Sequence, residues 1–135
     1  MINFDSHVTD LDPIALINNI DHTRRQHDSK MLLELMSDIT GEPAKVWSNN
    51  VIGFGQYHYT YKTGRQGYWP ILSFCPSLQN ISIDVMHGLS DYQDLLKRIG
   101  QVKTTGNSLV LYKLSDIDKR ALTAFLQQVF DDIEK

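Results

Sequence analysis

The stretch VIGFGQYHYTYKTGRQGYWPILSFCP, residues 51–76, carries most of the sequence information about the fold. Its first part, VIGFGQYHYTYK, alternates between aromatic or aliphatic and smaller residues, and its last part, PILSFCP, is short and apolar. Both patterns are typical of β-strands. The segment between them, KTGRQG, has two glycines, which allow the backbone to turn. We predict two strands joined through this connection.

Two further strands are predicted downstream. NISIDVM, residues 80–86, alternates again and follows PILSFCP after a short polar turn. Because so short a connection cannot form a crossover, these two strands should be antiparallel neighbours. SLVLYKL, residues 108–114, predicts a fourth strand.

Two helices are predicted before this region. The pair Asp12-Pro13 should open a short helix that ends near Ile20. A second helix is expected from about Thr23 to Ile39, with its apolar stripe confined to the second half. Its first half, TRRQHDSK, is polar all round and is expected to be largely solvated.

Two more helices are predicted in the last third of the chain. Ser90 with Gln93 fits a capping box, and Ser115 with Asp118 starts the last helix by the same logic. Gly100 should end the first of these helices. The buried stripes are expected to be Tyr92, Leu95, Leu96 and Ile99 in one helix and Leu122, Phe125, Leu126, Val129 and Ile133 in the other.

The predicted order of elements is therefore α-α-β-β-β-α-β-α in a single domain, residues 1–135. This order favours the α+β class: a small two-layer domain with an antiparallel sheet of about four strands flanked by helices. Such a sheet leaves its second face free for water, a ligand or another subunit.

Composition narrows the class of protein. The chain has 135 residues, a formal charge of −3 and one cysteine, Cys75. The acidic balance argues against nucleic-acid binding, and no apolar run is long enough for a transmembrane helix. The N-terminus lacks the features of a signal peptide, and a single cysteine suits a reducing compartment. We therefore expect a cytoplasmic protein with neither a nucleic-acid partner nor a membrane partner.

The first predicted strand carries the most suggestive side chains. Tyr57, Tyr59 and Tyr61 lie at alternate positions and so share one face, although alternation does not show which face is buried. One interpretation is that the tyrosines only stabilise the hairpin through cross-strand pairs. A second is that they line a groove with Trp69 and Arg65 for a flat or anionic ligand. A third is a subunit interface on the same residues.

The sequence gives little indication of a metal site, a nucleophile or a catalytic group. The histidines are scattered and no zinc-binding spacing occurs, so no metal site is predicted. Glu34 and Asp38 on the second helix are a weak alternative site for a hard cation. Cys75 precedes proline in an apolar strand, which favours a buried small hydrophobe over a nucleophile. No catalytic constellation is visible, so the enzyme question leans towards a non-enzyme.

The chain resembles the YdhG-like family, also described as domain of unknown function 1801. The resemblance rests on TGEPAKVW (residues 40–47), VIGFGQYHY (residues 51–59), QNISIDVM, YQDLLKRIG and YKLSDID, and it covers roughly Ile14 to Phe130. It implies a curved antiparallel sheet flanked by helices. It also adds Trp47, Lys103 and Lys113 to the polar or aromatic positions that match the family.

The resemblance implies no established reaction. Some relatives are described as frataxin-like iron chaperones, so iron is a possible cofactor by analogy only. Such binding uses a dense acidic ridge, whereas Arg24, Arg25 and Lys30 interrupt the carboxylates of the second helix.

We therefore expect a non-enzymatic module that binds an unknown small molecule or anion on the free sheet face. The alternatives are a frataxin-like iron-binding chaperone and a protein–protein interaction module or homodimer.

Overall fold

The computed structural model describes residues 7–60, 62–64, 66–85, 88–100 and 102–134. The helices are α1 Pro13–Asn18, α2 Thr23–Thr40, α3 Gln93–Ile99 and α4 Lys119–Glu134. The strands are β1 Ala44–Trp47, β2 Val51–Phe54, β3 Tyr57–Thr60, β4 Gln66–Trp69, β5 Leu72–Pro76, β6 Ile81–Asp84, β7 Lys103–Thr105 and β8 Ser108–Leu111. Short 3-10 turns cover Ser48–Asn50, Ser90–Tyr92 and Leu114–Asp116.

The predicted α+β class is confirmed, but the predicted strand number is too low. The described residues form a six-stranded antiparallel sheet in the order β1-β2-β5-β6-β8-β7 and a separate two-stranded sheet of β3 and β4. The order α-α-β-β-β-α-β-α therefore lacks several strands. It omits β1, whose apolar run is very short, β4, which begins within the predicted connection KTGRQG, and β7, Lys-Thr-Thr, whose residues are all exposed and polar.

The long first strand of the prediction is in fact two strands. It breaks at Gly55, whose φ of 71° lies in the left-handed region that favours glycine. Beyond this bend β3 pairs with β4, while β2 pairs with β5 in the main sheet. The Ile71 amide donates to the Phe54 carbonyl oxygen at 3.0 Å and so continues the β2–β5 pairing up to the bend. The strands β2 to β5 thus form one long hairpin. Its base, β2 and β5, belongs to the main sheet, and its tip, β3 and β4, forms the second sheet.

The core lies between one face of the main sheet and the helices. The register places Ile52, Phe74, Ile83 and Leu109 opposite one another on four adjacent strands, and all four are fully buried. The antiparallel pairing of β5 with β6 confirms the predicted neighbours. The predicted apolar stripe of α4 is also confirmed, since Leu122, Phe125, Leu126, Val129 and Ile133 are all buried.

The first half of α2 corrects the prediction of a solvated segment. Arg25 and Asp28 are only 5% and 6% exposed, and Ser29 is fully buried. With Leu32 and Met36, these residues continue one stripe along the helix at spacings of three and four. The buried face of α2 is therefore longer than its apolar face, because polar residues occupy its first turns.

Arg25 and Asp28 attach α2 to three other backbone positions. The Arg25 guanidinium donates to the carbonyl oxygens of Ser77, at 3.1 Å, and Tyr112, at 3.3 Å. The Asp28 carboxylate accepts from the Leu114 amide at 3.2 Å. We call these three bonds the α2 anchor. They satisfy groups that would otherwise be buried without partners, which explains why charged residues are accepted here.

Helix starts agree with the predictions only in part. Asp12 caps α1 by accepting from the Ile14 amide. Asp118 accepts from the Ala121 amide at the start of α4, whereas Ser115, predicted to cap this helix, lies in the preceding 3-10 turn. The capping box of Ser90 with Gln93 is wrong. Ser90 begins a 3-10 turn, and the Gln93 side chain donates to the Leu89 carbonyl oxygen instead.

The helix α3 is held against α4 by Tyr92. Its hydroxyl donates to Asp132 at 2.8 Å, and its ring meets Phe125 edge-on with centroids 5.5 Å apart. Burial and the Asp132 carboxylate raise the pKa of Tyr92 to about 12. The phenol is therefore neutral, and able to donate, across the physiological range.

Replacing Asp28 by alanine should lower the free energy of unfolding by about 1–3 kcal/mol, because the buried Leu114 amide would lose its acceptor. Asp38→Ala is the matched control, since Asp38 is exposed on the same helix, and it should change stability by less than about 0.5 kcal/mol. Urea denaturation of both variants measures the difference. Equal effects would show that the buried Leu114 amide does not depend on Asp28 for its hydrogen bond.

Candidate functional site

The residues predicted to bind a ligand on the free sheet face lie far apart in the structure. Trp47 and Lys103 lie on β1 and β7, the two opposite edges of the main sheet. Five inter-strand spacings separate these edges, about 24 Å in total. Lys113 is exposed beyond the end of β8. One small molecule therefore cannot contact all of these side chains.

The aromatic hairpin has one buried and one exposed face. Tyr57 lies opposite Trp69; Trp69 is only 8% exposed and Tyr57 is half-buried and packs against the core. On the other face, the rings of His58 and Tyr68 lie 5.0 Å apart, and His58 Nε2 lies 2.8 Å from Gln66 Oε1. The backbone of Tyr59 pairs with Gly67 on β4. The side chain of Tyr59, and all of Tyr61 and Arg65, lie outside the described residues.

The second face of the main sheet is partly covered by the chain itself. Across it, Gly53, Ser73, Asp84 and Ser108 lie side by side on four strands. A Cβ atom on Gly53 would lie 2.5 Å from Pro70 Cβ and 2.7 Å from Trp47 Nε1, so these two rings occupy the space above the glycine. The sheet face is therefore closed at Gly53, whereas Lys45 beside it on β1 is exposed and Cys75 on β5 is half-buried.

Polar groups continue along this face. Ser73 is buried, and its Oγ has no hydrogen-bond partner among the described residues. Beside it, the Asp84 carboxylate accepts from the Ser108 hydroxyl. Towards the β7 edge, the Lys103 ammonium lies 5.7 Å from the centre of the Tyr112 ring, within cation–π range. Lys103 thus already has a partner from its own chain.

A cavity of about 310 Å³ borders the covered part of this face. It contains Trp47 from the predicted set, together with Val8, Glu42, Pro43, Lys45, Gly53, Gly55 and Gln56. Lys45 and Glu42 carry opposite charges, so this cavity has no clear preference for an anion or a cation.

A larger cavity, about 710 Å³, lies between the first half of α2 and the start of α4. Three basic side chains line it: Arg24, His27 and Lys119. The remaining lining residues are Thr23, Asp28, Met31, Leu114 and Ser115. Arg24 Nη1 reaches the Ser115 hydroxyl at 3.5 Å across this space.

A smaller cavity of about 240 Å³ continues along the same helix. It shares Met31, Leu114 and Lys119 with the larger one and adds the apolar side chains of Leu32, Leu35 and Leu122. Glu34, Asp38 and Thr123 complete its lining. We call the two cavities together the α2–α4 cleft.

Glu34 and Asp38, the weak metal alternative of the sequence, both line the smaller cavity. Within the described part of the chain, no group of three or more histidine, cysteine, aspartate or glutamate side chains is arranged to hold a metal ion. The iron hypothesis stays a prediction from resemblance.

Sequence reasoning missed the α2–α4 cleft as a site. Arg24, His27, Asp28 and Met31 follow spacings of three, one and three along α2, so they share one flank of the helix. This spacing could have indicated a second functional face. The opposite wall, from Leu114 to Thr123, lies some 90 positions later, and its proximity depends on the tertiary fold.

No family model, no curated protein and no solved structure matches the chain. Membership of the YdhG-like family therefore stays a prediction. None of the helices in the described ranges has the length and hydropathy needed to span a bilayer.

The Cys75 thiol should react slowly with iodoacetamide. Burial, and then the nearby Asp84 carboxylate, raise the pKa of this thiol, and a higher pKa leaves less of the reactive thiolate at any given pH. The alkylation rate of the native protein should therefore rise at a higher pH than the rate of an unstructured cysteine peptide.

Asp84→Asn should increase the rate, because it removes the negative charge while an amide can still bond to Ser108. Asp94→Asn on α3 is the matched control and should have no effect. Mass spectrometry of samples quenched over time measures each rate. A native rate equal to that of the peptide would contradict the prediction.

Proposed function

We propose that the protein is a non-enzymatic module that binds a small anionic molecule with an apolar part in the α2–α4 cleft. The observation that carries this proposal is the convergence of Arg24, His27 and Lys119 on the larger cavity of the cleft, about 710 Å³. A cavity of this size falls within the range of about 300–1,000 Å³ that is usual for small-molecule sites.

The charges of the larger cavity favour an anion. Arg24 and Lys119 are cationic, and His27 can donate a hydrogen bond in either protonation state. Asp28 is the one carboxylate among the lining residues, and it is engaged by the Leu114 amide. An Arg24 guanidinium that contacts Ser115 through Nη1 keeps further N–H donors for a carboxylate or phosphate.

The apolar side chains support a ligand that is more than a simple ion. Met31 and Leu114 line both cavities, and Leu35 and Leu122 extend the apolar lining beyond them. An inorganic anion would leave this surface exposed to water. A molecule with an acidic group and an apolar body would cover both parts of the cleft.

The sheet face remains the alternative location for a ligand. Its support comes from the residue types of Trp47, Trp69 and Lys103. Trp47 and Trp69 are largely buried, which limits a ligand to their ring edges. The binding experiment below separates the two locations. A ligand in the cleft would shift the amides of Ser115 and Lys119, and a ligand on the sheet face would shift the indoles of Trp47 and Trp69.

An interaction module or homodimer is supported by a different observation. Leu78 and Tyr112 are 59% and 44% exposed, and Arg25 bonds to Tyr112 and to the neighbour of Leu78, Ser77. The two side chains therefore extend from anchored segments and offer rigid apolar contact area. If they form a homodimer interface, sedimentation velocity should show concentration-dependent dimerisation that Tyr112→Ser weakens. A monomer at every concentration would contradict this alternative.

The anion proposal is tested with phenyl phosphate, benzoate and inorganic phosphate, followed by two-dimensional NMR of the backbone amides. We expect phenyl phosphate to shift the amides of Ser115 and Lys119 most, and to bind more tightly than inorganic phosphate because its ring covers Met31 and Leu114. Arg24→Gln and Lys119→Gln should each weaken binding about fivefold or more, since a charge-assisted hydrogen bond is lost.

The matched controls are Lys30→Gln and Arg120→Gln. They remove a positive charge next to the same helix segments but lie outside the lining of either cavity. If no amide changes its chemical shift at millimolar ligand, the proposal is overturned. Shifts confined to the indoles of Trp47 and Trp69 would move the site to the sheet face.

A further inference from the structure

The α2–α4 cleft has three zones in a fixed order along α2. Arg24 and His27 mark a basic zone near the start of the helix, and Glu34 and Asp38 mark an acidic zone near its end. Met31 and Leu35 lie between them. Since a helix rises 1.5 Å per residue, the centres of the two charged zones are about 16 Å apart.

The middle zone is apolar on both walls. Leu114 and Leu122 face Met31 and Leu35 across the smaller cavity. The volume of this cavity, about 240 Å³, is enough for a compact apolar group. A ligand that uses this zone therefore presents a compact apolar group between its polar ends.

The acidic zone is open to a cation. Glu34 and Asp38 are both exposed and one helical turn apart on the cleft side of α2. Lys119 lines both cavities and so lies between the two charged zones. An anion in the basic zone attracts Lys119 and leaves the two carboxylates available.

We propose that the occupant of the α2–α4 cleft is an extended peptide segment of a partner protein, in which an acidic, an apolar and a basic residue occupy alternate positions. This proposal rests on the anion-binding role proposed above: the anionic group still occupies the basic zone, but it belongs to a peptide side chain and not to a free small molecule. An extended chain advances about 3.3 Å per residue, so four residue steps cover about 13 Å, and the two long charged side chains supply the remaining reach.

Charge complementarity selects this occupant over a metabolite. A small anion with an apolar part fills the basic and apolar zones but leaves Glu34 and Asp38 without a cation. A peptide supplies charges of both signs on one scaffold, and its alternating side chains would all point into the cleft.

The test uses three acetylated and amidated heptapeptides, each with a leucine at position four and serine or alanine at the other uncharged positions. The first has glutamate at position two and lysine at position six. The second has glutamate at both positions, and the third has lysine at both. Fluorescence polarisation of labelled peptides gives the dissociation constants, and NMR of the labelled protein locates the site.

The wild-type protein should bind the mixed-charge peptide about fivefold more tightly than either like-charge peptide, because each like-charge peptide places one charge beside its own sign. The double variant Glu34→Lys with Asp38→Lys should reverse this order and prefer the peptide with two glutamates. The double variant Asp10→Lys with Asp94→Lys makes the same change in net charge away from the cleft. It should keep the wild-type order.

Circular dichroism and thermal melting of both double variants check that the fold is intact. If Glu34→Lys with Asp38→Lys unfolds, the single variants Glu34→Gln and Asp38→Gln test the same prediction, each reducing the preference for the mixed-charge peptide.

The outcomes separate this inference from the proposed function. Equal binding of all three peptides, or binding of none, overturns the peptide assignment. If phenyl phosphate still binds and Arg24→Gln still weakens it, the anion-binding function stands on its own. If phenyl phosphate is also silent, both proposals fail.

Discussion

The α2 anchor is the interaction on which the arrangement of this protein depends. A buried guanidinium and a buried carboxylate, one turn apart on α2, bond to backbone groups at Ser77, Tyr112 and Leu114. These groups belong to the β5–β6 connection and to the segment between β8 and α4. The anchor thereby fixes where α2 crosses the sheet, and with it the distance between the two walls of the α2–α4 cleft.

A charged anchor has a different effect from an apolar one. Desolvating Arg25 and Asp28 costs free energy that their hydrogen bonds only partly return, and Arg25 Nε has no partner among the described residues. The bonds are directional, however, and a shifted helix would leave both charges buried and unpaired. We infer that the anchor contributes positional precision more than net stability. A cleft with fixed walls is preorganised for a ligand, which reduces the entropy lost on binding.

The spacing of apolar residues and the composition of the chain predict some helices and strands correctly and miss others. The stripe of α4 and the pairing of β5 with β6 follow directly from apolar spacing and loop length. The strands β1 and β7 were missed because one is short and the other wholly polar, and their pairing depends on neighbours distant in sequence. Residue type alone predicts that Arg25 and Asp28 are solvated, because it does not show that carbonyl acceptors for Arg25 and a backbone N–H donor for Asp28 lie nearby. The cleft was missed for a related reason, since Arg24 and Lys119 meet only through the tertiary fold.

Gly53 has a consequence for how the molecule can move. Trp47 belongs to β1 and Pro70 lies at the bend between β4 and β5, and their rings come together over a position that has no side chain. The β1–β2 hairpin and the bend between β4 and β5 thereby pack together at Gly53. The aromatic hairpin of β3 and β4 cannot move about its bend without carrying Pro70 away from Gly53. It should therefore behave as a rigid extension of the main sheet and not as a hinged flap.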